Sequence, residues 1–172
     1  MVEVLVTVVI VAIGLLGVAK LQAAAVSNTQ VSRVRSLVAL QAGSLAAAMH
    51  GNPAYWGAGT APTGWTASGT TISDPVLGAA ANCLSTSGSG TPNNTCTPPQ
   101  LAAYDVQAWA AGMYAQFPSY AAAVTCTHNV GLPISCSIQI TWSEKTVAIN
   151  ASTAASAASQ ATTQQFTLLV EP

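Results

Sequence analysis

Four cysteines are the residues of this 172-residue chain with the plainest chemistry. Four cysteines allow three disulfide connectivities. The simplest is local, because Cys83 and Cys96 flank a Ser/Gly/Pro/Asn-rich loop and Cys126 and Cys136 flank a predicted hairpin. On the chain-entropy account, each closed loop of about 10–15 residues would stabilise the fold by roughly 3 kcal/mol. Disulfides also indicate an oxidising compartment.

Metal binding and catalysis are the competing uses of the reactive side chains. A zinc site would use Cys126, His128 and Cys136, but this spacing fits no strong zinc pattern. The other candidates for acid–base chemistry are His50, His128, Asp74 and Asp105. No G-x-S-x-G, P-loop or G-x-G-x-x-G accompanies them. We therefore expect no catalytic residue, no metal and no cofactor, and interpret the chain as a non-enzymatic protein.

Glu3 is a carboxylate at the edge of an apolar run. Val4–Ala19 contain 16 residues without a charge. A carboxylate drawn to the bilayer centre costs about 2.5–3.5 kcal/mol, so such a group usually has a partner. Lys20 is about 25 Å away along a helix and cannot serve. Glu3 therefore either stays at the headgroups or pairs with a positive group on another copy of the chain.

The apolar run itself predicts a helix in a membrane. It is slightly shorter than the ~20 residues that cross a bilayer, but it extends through Leu21–Val26 if Lys20 snorkels. A lone segment in lipid must satisfy its backbone internally, which favours a helix. Gly14 and Gly17 each cost about 1 kcal/mol of helicity relative to Ala. They mark a place where the helix can loosen or be approached closely.

A cleaved secretory signal is the alternative for this segment. Ala23-Ala24-Ala25 would supply a small-residue cleavage site after the apolar core. An acidic residue, however, stands where a signal peptide has its basic region. The helical pattern also continues past the run without a proline until Pro53. We therefore expect one helix from Met1 to about Met49, ended by Gly51-Asn52-Pro53.

The second half of this helix is predicted to be amphipathic and to pack on the rest of the chain. An apolar stripe recurs at helical spacing, with Leu37 beside it. Its members are Val31, Val34, Val38, Leu45 and Met49. The expected organisation is a membrane-spanning half at 1–26, an amphipathic half at 27–52, and a disulfide-stapled globular head at 53–172.

Short elements are predicted along the head. Residues 53–100 are turn-rich, with at most two short strands, and Tyr55, Trp56 and Trp65 fall in their loops. We expect these aromatic residues to cap a small core; the alternative is that they are exposed and contact a surface or a partner. A helix is predicted at Leu101–Met113, with Leu101, Tyr104, Ala108 and Ala111 on one face. Strands are predicted at Tyr120–Thr127, Ser135–Trp142, Thr146–Ile149 (a short one) and Phe166–Val170. Residues 151–165 are predicted to be a flexible connection. In the strand at Ser135–Trp142, Cys136, Ile138, Ile140 and Trp142 share a face. The fold class is α+β, a long helix packed on a small antiparallel sheet.

Composition excludes three classes of protein. Charged residues are only 5% of the chain, against about 25% in an ordinary soluble domain. Net charge −1 with 51% hydrophobic residues does not fit a charged disordered protein. Four Lys+Arg cannot form the basic surface of a nucleic-acid binder, and one long apolar run does not make a polytopic membrane protein.

The N-terminal segment MVEVLVTVVIVAIGLLGVAKLQ resembles that of type IV pilins, above all the minor pilins of the PilV family. Glu3 matches the family's acidic residue near the mature N-terminus. Gly14-Leu15-Leu16-Gly17 and Leu21-Gln22 match the later motif, and Ile138–Trp142 and Phe166–Pro172 loosely resemble the late strands. The family's leader, cleavage glycine and first two mature residues have no counterpart, so the alignment places Met1 at the third mature position and we expect an upstream start.

The resemblance implies a structural role. It implies that Glu3 pairs with the N-terminal amine of a neighbouring subunit, that helices pack in a filament core, and that a priming or tip complex promotes assembly and contributes to adhesion. The implied partners are other minor and major pilins, the inner membrane before assembly, and a prepilin peptidase acting on a leader before Met1. The chain would move from the inner membrane, with a periplasmic head, to the extracellular pilus. A type II secretion pseudopilin and a secreted enzyme or binding module remain alternatives.

Overall fold

A computed structural model describes residues 2–83, 96–129, 132–145 and 161–172 of the chain. It combines a long N-terminal helix with a five-stranded antiparallel sheet, which is the α+β class expected from the sequence. The helices are α1 (Val2–Gly51), α2 (Pro53–Trp56) and α3 (Pro98–Gln116). The strands are β1 (Gly64–Ser68), β2 (Thr71–Ile72), β3 (Ala121–Thr127), β4 (Ser135–Lys145) and β5 (Ala161–Val170).

The chain divides into two compact units. One comprises Met1–Ser36 and Glu144–Thr162, and the other comprises Leu37–Ser143 and Thr163–Pro172. We refer to them as the N-terminal unit and the head unit. Helix α1 contributes residues to both units, and its single run of helix ends at Gly51, as the following Asn52-Pro53 predicts.

The predicted apolar stripe of α1 is confirmed in its C-terminal part. The buried residues of the helix are Val38, Ala42, Leu45, Ala46 and Met49. They recur at steps of three and four, so they fall on one face of the helix within the head unit. Val31 and Val34 are only half-buried. Val38 and Met49 are completely buried, which makes this face part of the main core.

The sheet has the order β2-β1-β3-β4-β5. Strands β1 and β3 pair antiparallel, as do β3 and β4 through the predicted hairpin. Alternation along each strand places one set of side chains inward. The buried inner face contains Trp65, Ala67, Ala122, Val124, Cys126, Cys136, Ile138, Ile140 and Trp142. The predicted alternation of β4 from Cys136 to Trp142 is therefore confirmed.

Helix α3 is longer than predicted, and the face predicted for it was wrong. It begins at Pro98, after Thr97, whose backbone N–H donates to Gln100 Oε1 over 2.9 Å; proline is well suited to this first helical position. The buried residues are Ala102, Ala103, Val106, Trp109, Ala110 and Met113. Ala108 and Ala111 are exposed, because the face with the larger side chains faces the core.

The turn-rich region contains two short strands, as predicted, but also the short helix α2. Tyr55 and Trp56 belong to α2 and Trp65 to β1, so none of the three is in a loop. All three are buried, in agreement with the core role expected for them. Their rings form a chain of contacts, with the Trp56 and Trp65 centroids 6.5 Å apart.

Two strand boundaries also differ from the prediction. Strand β4 continues past Trp142 to Lys145. Strand β5 begins at Ala161, so residues 161–165 form a strand and not the predicted flexible connection. The predicted strand at Thr146–Ile149 and the first part of the predicted connection, 151–160, lie outside the described residues.

Candidate membrane and assembly segment

The part of α1 from Val2 to Val26, here called the N-terminal segment, is apolar and exposed. Apart from the half-exposed Ala24, each of its side chains is exposed. The exposed fractions of Leu5, Ile10 and Leu16 are 67%, 64% and 67%. An 18-residue window of α1 has a mean hydropathy of 2.7 and none of it is buried. By length and composition, α1 can cross a membrane, a test that an N-terminal signal sequence also passes.

Both threonine hydroxyl groups of this helix are bonded within it. Thr7 Oγ1 donates to the carbonyl oxygen of Val4 over 2.8 Å, and Thr29 Oγ1 donates to that of Ala25 over 3.0 Å. Such bonds to the preceding turn satisfy a hydroxyl without water. Thr7 is the one hydroxyl residue between Val4 and Ala19, so this apolar run has no unbonded side-chain hydroxyl.

Glu3 lies in the first turn of α1 and is exposed. A negative charge is favourable there because the helix N-terminus carries a partial positive charge. Within the described residues Glu3 has no ion pair. Lys20 is on the same helix, 17 residues later and therefore about 25 Å away at 1.5 Å per residue. Among the described residues, the structure therefore provides no partner for Glu3.

Gly14 and Gly17 lie inside an uninterrupted part of α1. A Cβ added at either position would meet nothing within 4 Å. No close approach within the described residues therefore requires these glycines, although each costs about 1 kcal/mol of helix propensity relative to Ala. The helix also does not loosen at them in this structure.

The four predicted cysteines form two local disulfides. Cys83 bonds Cys96 and Cys126 bonds Cys136. Cys126 and Cys136 are directly opposite each other on β3 and β4, with their Cα atoms 4.0 Å apart. Because both thiols of the second pair are used in the disulfide, the alternative zinc site with His128 is wrong. Among the described residues, no three His, Cys, Asp or Glu side chains are placed to hold a metal ion.

The remaining titratable candidates are dispersed and have local roles. Asp74 Oδ1 accepts hydrogen bonds from the backbone N–H groups of Val76 and Leu77, at 3.0 and 2.9 Å. Burial raises the pKa of Asp105. His50 is exposed near the end of α1. Among the described residues, no hydrogen bond joins the His50, Asp74 or Asp105 side chain to a serine, threonine or cysteine side chain.

A charge pair that the sequence analysis did not predict joins α1 to the end of β4 in the N-terminal unit. Arg35 Nε donates to Glu144 Oε1 over 3.0 Å and Arg35 Nη2 to Oε2 over 2.9 Å. Bonding to the Glu144 carboxylate and its charge raise the pKa of Arg35. The Arg35 side chain is 55% exposed and that of Glu144 only 5%. The sequence did contain a sign of this burial, because Glu144 occupies the next position in the alternation that places Ile138, Ile140 and Trp142 inward.

Comparison with known proteins adds no relative to these observations: no protein-family model, no curated protein and no solved structure matches the chain. The account of its function therefore depends on the residues themselves, on the exposed apolar N-terminal segment with its single terminal carboxylate, and on the disulfide-stapled head.

Proposed function

We propose that this chain is a structural minor pilin that assembles through its N-terminal segment into a type IV pilus, in a priming or tip complex that promotes pilus assembly and contributes to adhesion. The observation that carries the proposal is the exposed apolar helix with an uncharged run at Val4–Ala19 and one carboxylate at its tip. Neither a buried core helix nor a catalytic scaffold has a use for that combination.

The apolar side chains of the N-terminal segment need a non-aqueous environment. Burying one Val, Leu or Ile side chain is worth about 1.5–3 kcal/mol, and the segment exposes 13 large apolar side chains between Val2 and Leu21. The lipid of the inner membrane supplies that environment before assembly. In a filament the same surface is covered by the helices of neighbouring subunits. One segment therefore serves both as tether and as assembly surface.

Glu3 gives the assembled state its preference over the membrane state. A carboxylate among packed helices is tolerated only when a positive group neutralises it. The N-terminal amine of a neighbouring pilin is the partner that the proposal assigns. A subunit whose helix is out of register leaves Glu3 unpaired, and the energy of that unpaired charge opposes misassembly.

Gly14 and Gly17 support the same assignment. Small residues allow the backbones of two helices to approach closely in an apolar environment. Because no contact among the described residues needs them, a neighbouring helix is the remaining use for their small size. The proposed assembly surface therefore runs from Glu3 past Gly17.

In this proposal the head lies outside the cytoplasm and determines which pilins the subunit binds. Two disulfides indicate an oxidising compartment, which fits the periplasm and the extracellular pilus. In this proposal a prepilin peptidase processes a leader that precedes Met1, and other minor and major pilins are the binding partners. The head acts through contacts and not through catalysis.

A charge swap at Glu3 tests the proposal. We expect Glu3→Lys to leave the protein in the membrane fraction but to abolish its recovery in sheared filaments, because two positive groups then meet. The matched control is Glu171→Lys, the same change at an exposed site beyond β5, which should leave recovery unchanged. Recovery of the Glu3→Lys subunit at the wild-type level would contradict the proposed pairing, and co-purification with secretion-system components would favour the pseudopilin alternative.

A further inference from the structure

Helix α1 changes abruptly from apolar to polar where the N-terminal segment ends. Residues 27–33 read SNTQVSR, in which Val31 is the one apolar residue. They remain helical and belong to the N-terminal unit. Their side chains are exposed, apart from the half-buried Ser27 and Val31. We call residues 27–33 the polar belt.

The polar belt contains one positive charge, that of Arg33. The Arg33 side chain is exposed and forms no ion pair and no hydrogen bond within the described residues. Arg35, only two residues later, is bound to the Glu144 carboxylate through two hydrogen bonds, so its charge is balanced inside the chain. The charge of Arg33 is balanced by no described residue, and its partner therefore belongs to another molecule.

Helix geometry sets the depth of Arg33 in a bilayer. The apolar stretch from Val4 to Val26 comprises 23 residues, or about 34 Å, against a hydrocarbon core of about 30 Å. Arg33 lies about 10 Å beyond Val26. Long side chains on a helix point back over the preceding turn, which places the guanidinium level with Thr29, about 5 Å beyond the apolar stretch. The headgroup layer of one leaflet is about 5–8 Å thick, so the guanidinium lies within it.

The chemistry of this position selects a phosphate. A guanidinium binds phosphate oxygens through two parallel N–H donors. Gln30, three residues before Arg33, is its neighbour on the helix surface, and the Gln30 amide is exposed and forms no hydrogen bond within the described residues. It can donate to the same phosphate. Residues 27–33 contain no Asp or Glu that would repel an anion. A zwitterionic lipid carries a cation that competes with Arg33 for the phosphate, whereas an anionic lipid does not.

We propose that Arg33 and Gln30 bind the phosphate of an anionic phospholipid headgroup, in the leaflet that faces the polar belt, before the subunit leaves the membrane. The bound headgroup holds the helix at one depth in the bilayer. This inference rests on the membrane span that the proposed function includes, but not on assembly into a filament. Its test therefore needs no filament.

Native mass spectrometry of the full chain, with both disulfides intact, tests this site. The protein would be released from dodecylmaltoside micelles that contain equal amounts of phosphatidylglycerol, which is anionic, and phosphatidylcholine, which is zwitterionic, with the same acyl chains. We expect the protein to retain phosphatidylglycerol about fivefold more often, the preference that one basic residue near a membrane surface gives. Equal retention of the two lipids, or retention of neither, would overturn the proposal.

A soluble competitor separates a lipid headgroup from a free phosphate ion, which has the same chemistry. Glycerol 1-phosphate, at the concentration of the lipid, should displace no phosphatidylglycerol, because it lacks the acyl chains that hold the lipid beside the helix. Displacement of the lipid by this competitor would assign the site to free phosphate and would overturn the membrane assignment.

Two variants and a control locate the binding. Arg33→Gln should abolish the preference without changing the thermal unfolding midpoint, and Arg33→Lys, which keeps the charge, should retain at least half of it. The control combines Arg35→Gln with Glu144→Gln, which removes an arginine at constant net charge and should keep the preference. Loss of the preference in this control, or its persistence in Arg33→Gln, would overturn the proposal. A chain that prefers the anionic lipid but never enters filaments would instead contradict the assembly proposal alone.

Discussion

The two parts of α1 contain similar residues but have opposite surroundings. Leu16 in the N-terminal segment is 67% exposed, whereas Leu45 in the head unit is 1% exposed. In the second part the apolar residues form a stripe that the head covers, while in the first part they surround the helix. An all-round apolar helix finds its partners in lipid or in other helices. The arrangement of apolar residues, and not their number, separates the part of α1 that stabilises the fold from the part that we propose for assembly.

The carboxylates of Glu144 and Glu3 also differ in their surroundings. Glu144 is nearly buried and is bound by Arg35 of its own chain through two hydrogen bonds. Glu3 is exposed and has no ion pair within the described residues. A carboxylate that has its counter-ion inside the chain contributes to the fold, and one that lacks it is available for a contact with another molecule.

Leucine truncation should separate the two parts of α1 most strongly. We expect Leu45→Ala to lower the free energy of unfolding of the head by about 2–5 kcal/mol, because it leaves a cavity in a packed core. Leu16→Ala should change it by less than about 0.5 kcal/mol. Urea unfolding in micelles, followed by tryptophan fluorescence, measures both, and equal losses would show that the contrast within α1 is wrong.

Removal of a disulfide should destabilise the head next most. Cys126→Ser with Cys136→Ser, and separately Cys83→Ser with Cys96→Ser, should each cost about 3 kcal/mol, because loops of 10 and 13 residues are no longer closed in the unfolded chain. Membrane insertion of the N-terminal segment should not change, since no cysteine lies in it. The same unfolding assay and a membrane-fraction blot check the two halves of this prediction.

The Tyr120 hydroxyl should have a smaller effect that depends on pH. It donates to the Gly69 carbonyl oxygen over 2.8 Å, so Tyr120→Phe should cost about 1 kcal/mol near neutral pH. Burial raises the pKa of Tyr120 to about 12 from an ordinary value of 10.0. The neutral form is therefore favoured in the fold, and its contribution is full below pH 10 and lost as pH rises through about 12.

The matched control for that prediction is Tyr114→Phe, at a side chain that is 47% exposed. Wild-type protein should lose stability between pH 10 and 12 more steeply than the Tyr120→Phe variant does. Parallel pH profiles for wild type and Tyr120→Phe, measured by thermal unfolding, would contradict a buried neutral phenol at this position.

Asp105 should give the smallest effect. Burial raises its pKa in the fold, so the neutral acid is favoured there. Its contribution is present below the ordinary pKa of an aspartate and is lost as pH rises through the raised pKa. Asp105→Asn should therefore raise the unfolding midpoint at neutral pH and flatten the profile across the acidic range. Glu171→Gln, at an exposed site, is the control, and an identical profile for Asp105→Asn would rule out the desolvated carboxyl.

Much of the fold follows from local pattern, and the exceptions have physical causes. Helix α1, the stripe ending at Met49 and the alternation of β4 are periodic, so they could be predicted. The buried face of α3 could not be predicted from spacing alone, because two faces of that helix have apolar periodicity. The face that contains Trp109 is the buried one. The Trp109 ring packs edge-on to that of Tyr120, with centroids 6.0 Å apart, and its Nε1–H donates to the Gln41 carbonyl oxygen.

Long-range pairing accounts for the other differences. The start of β5 at Ala161 is polar and low in complexity, so its pairing in the sheet and not its composition makes it a strand. Arg35 and Glu144 are 109 residues apart in sequence, and their contact depends on the fold. The pairing register of β1, β3 and β4, which places Ala121 and Ala123 between polar neighbours, likewise depends on the fold. Glu3, Gly14 and Gly17, in contrast, stand out in the sequence because they differ from the large apolar residues beside them.

The central claim is that the N-terminal segment remains on the mature protein and builds it into a filament. The most direct test is the intact mass and N-terminal sequence of the protein recovered from membranes and from sheared filaments. We expect both fractions to contain the chain with its N-terminal segment intact and its first residue methylated. A soluble extracellular monomer beginning near Val26, with none of the chain in filaments, would contradict the account.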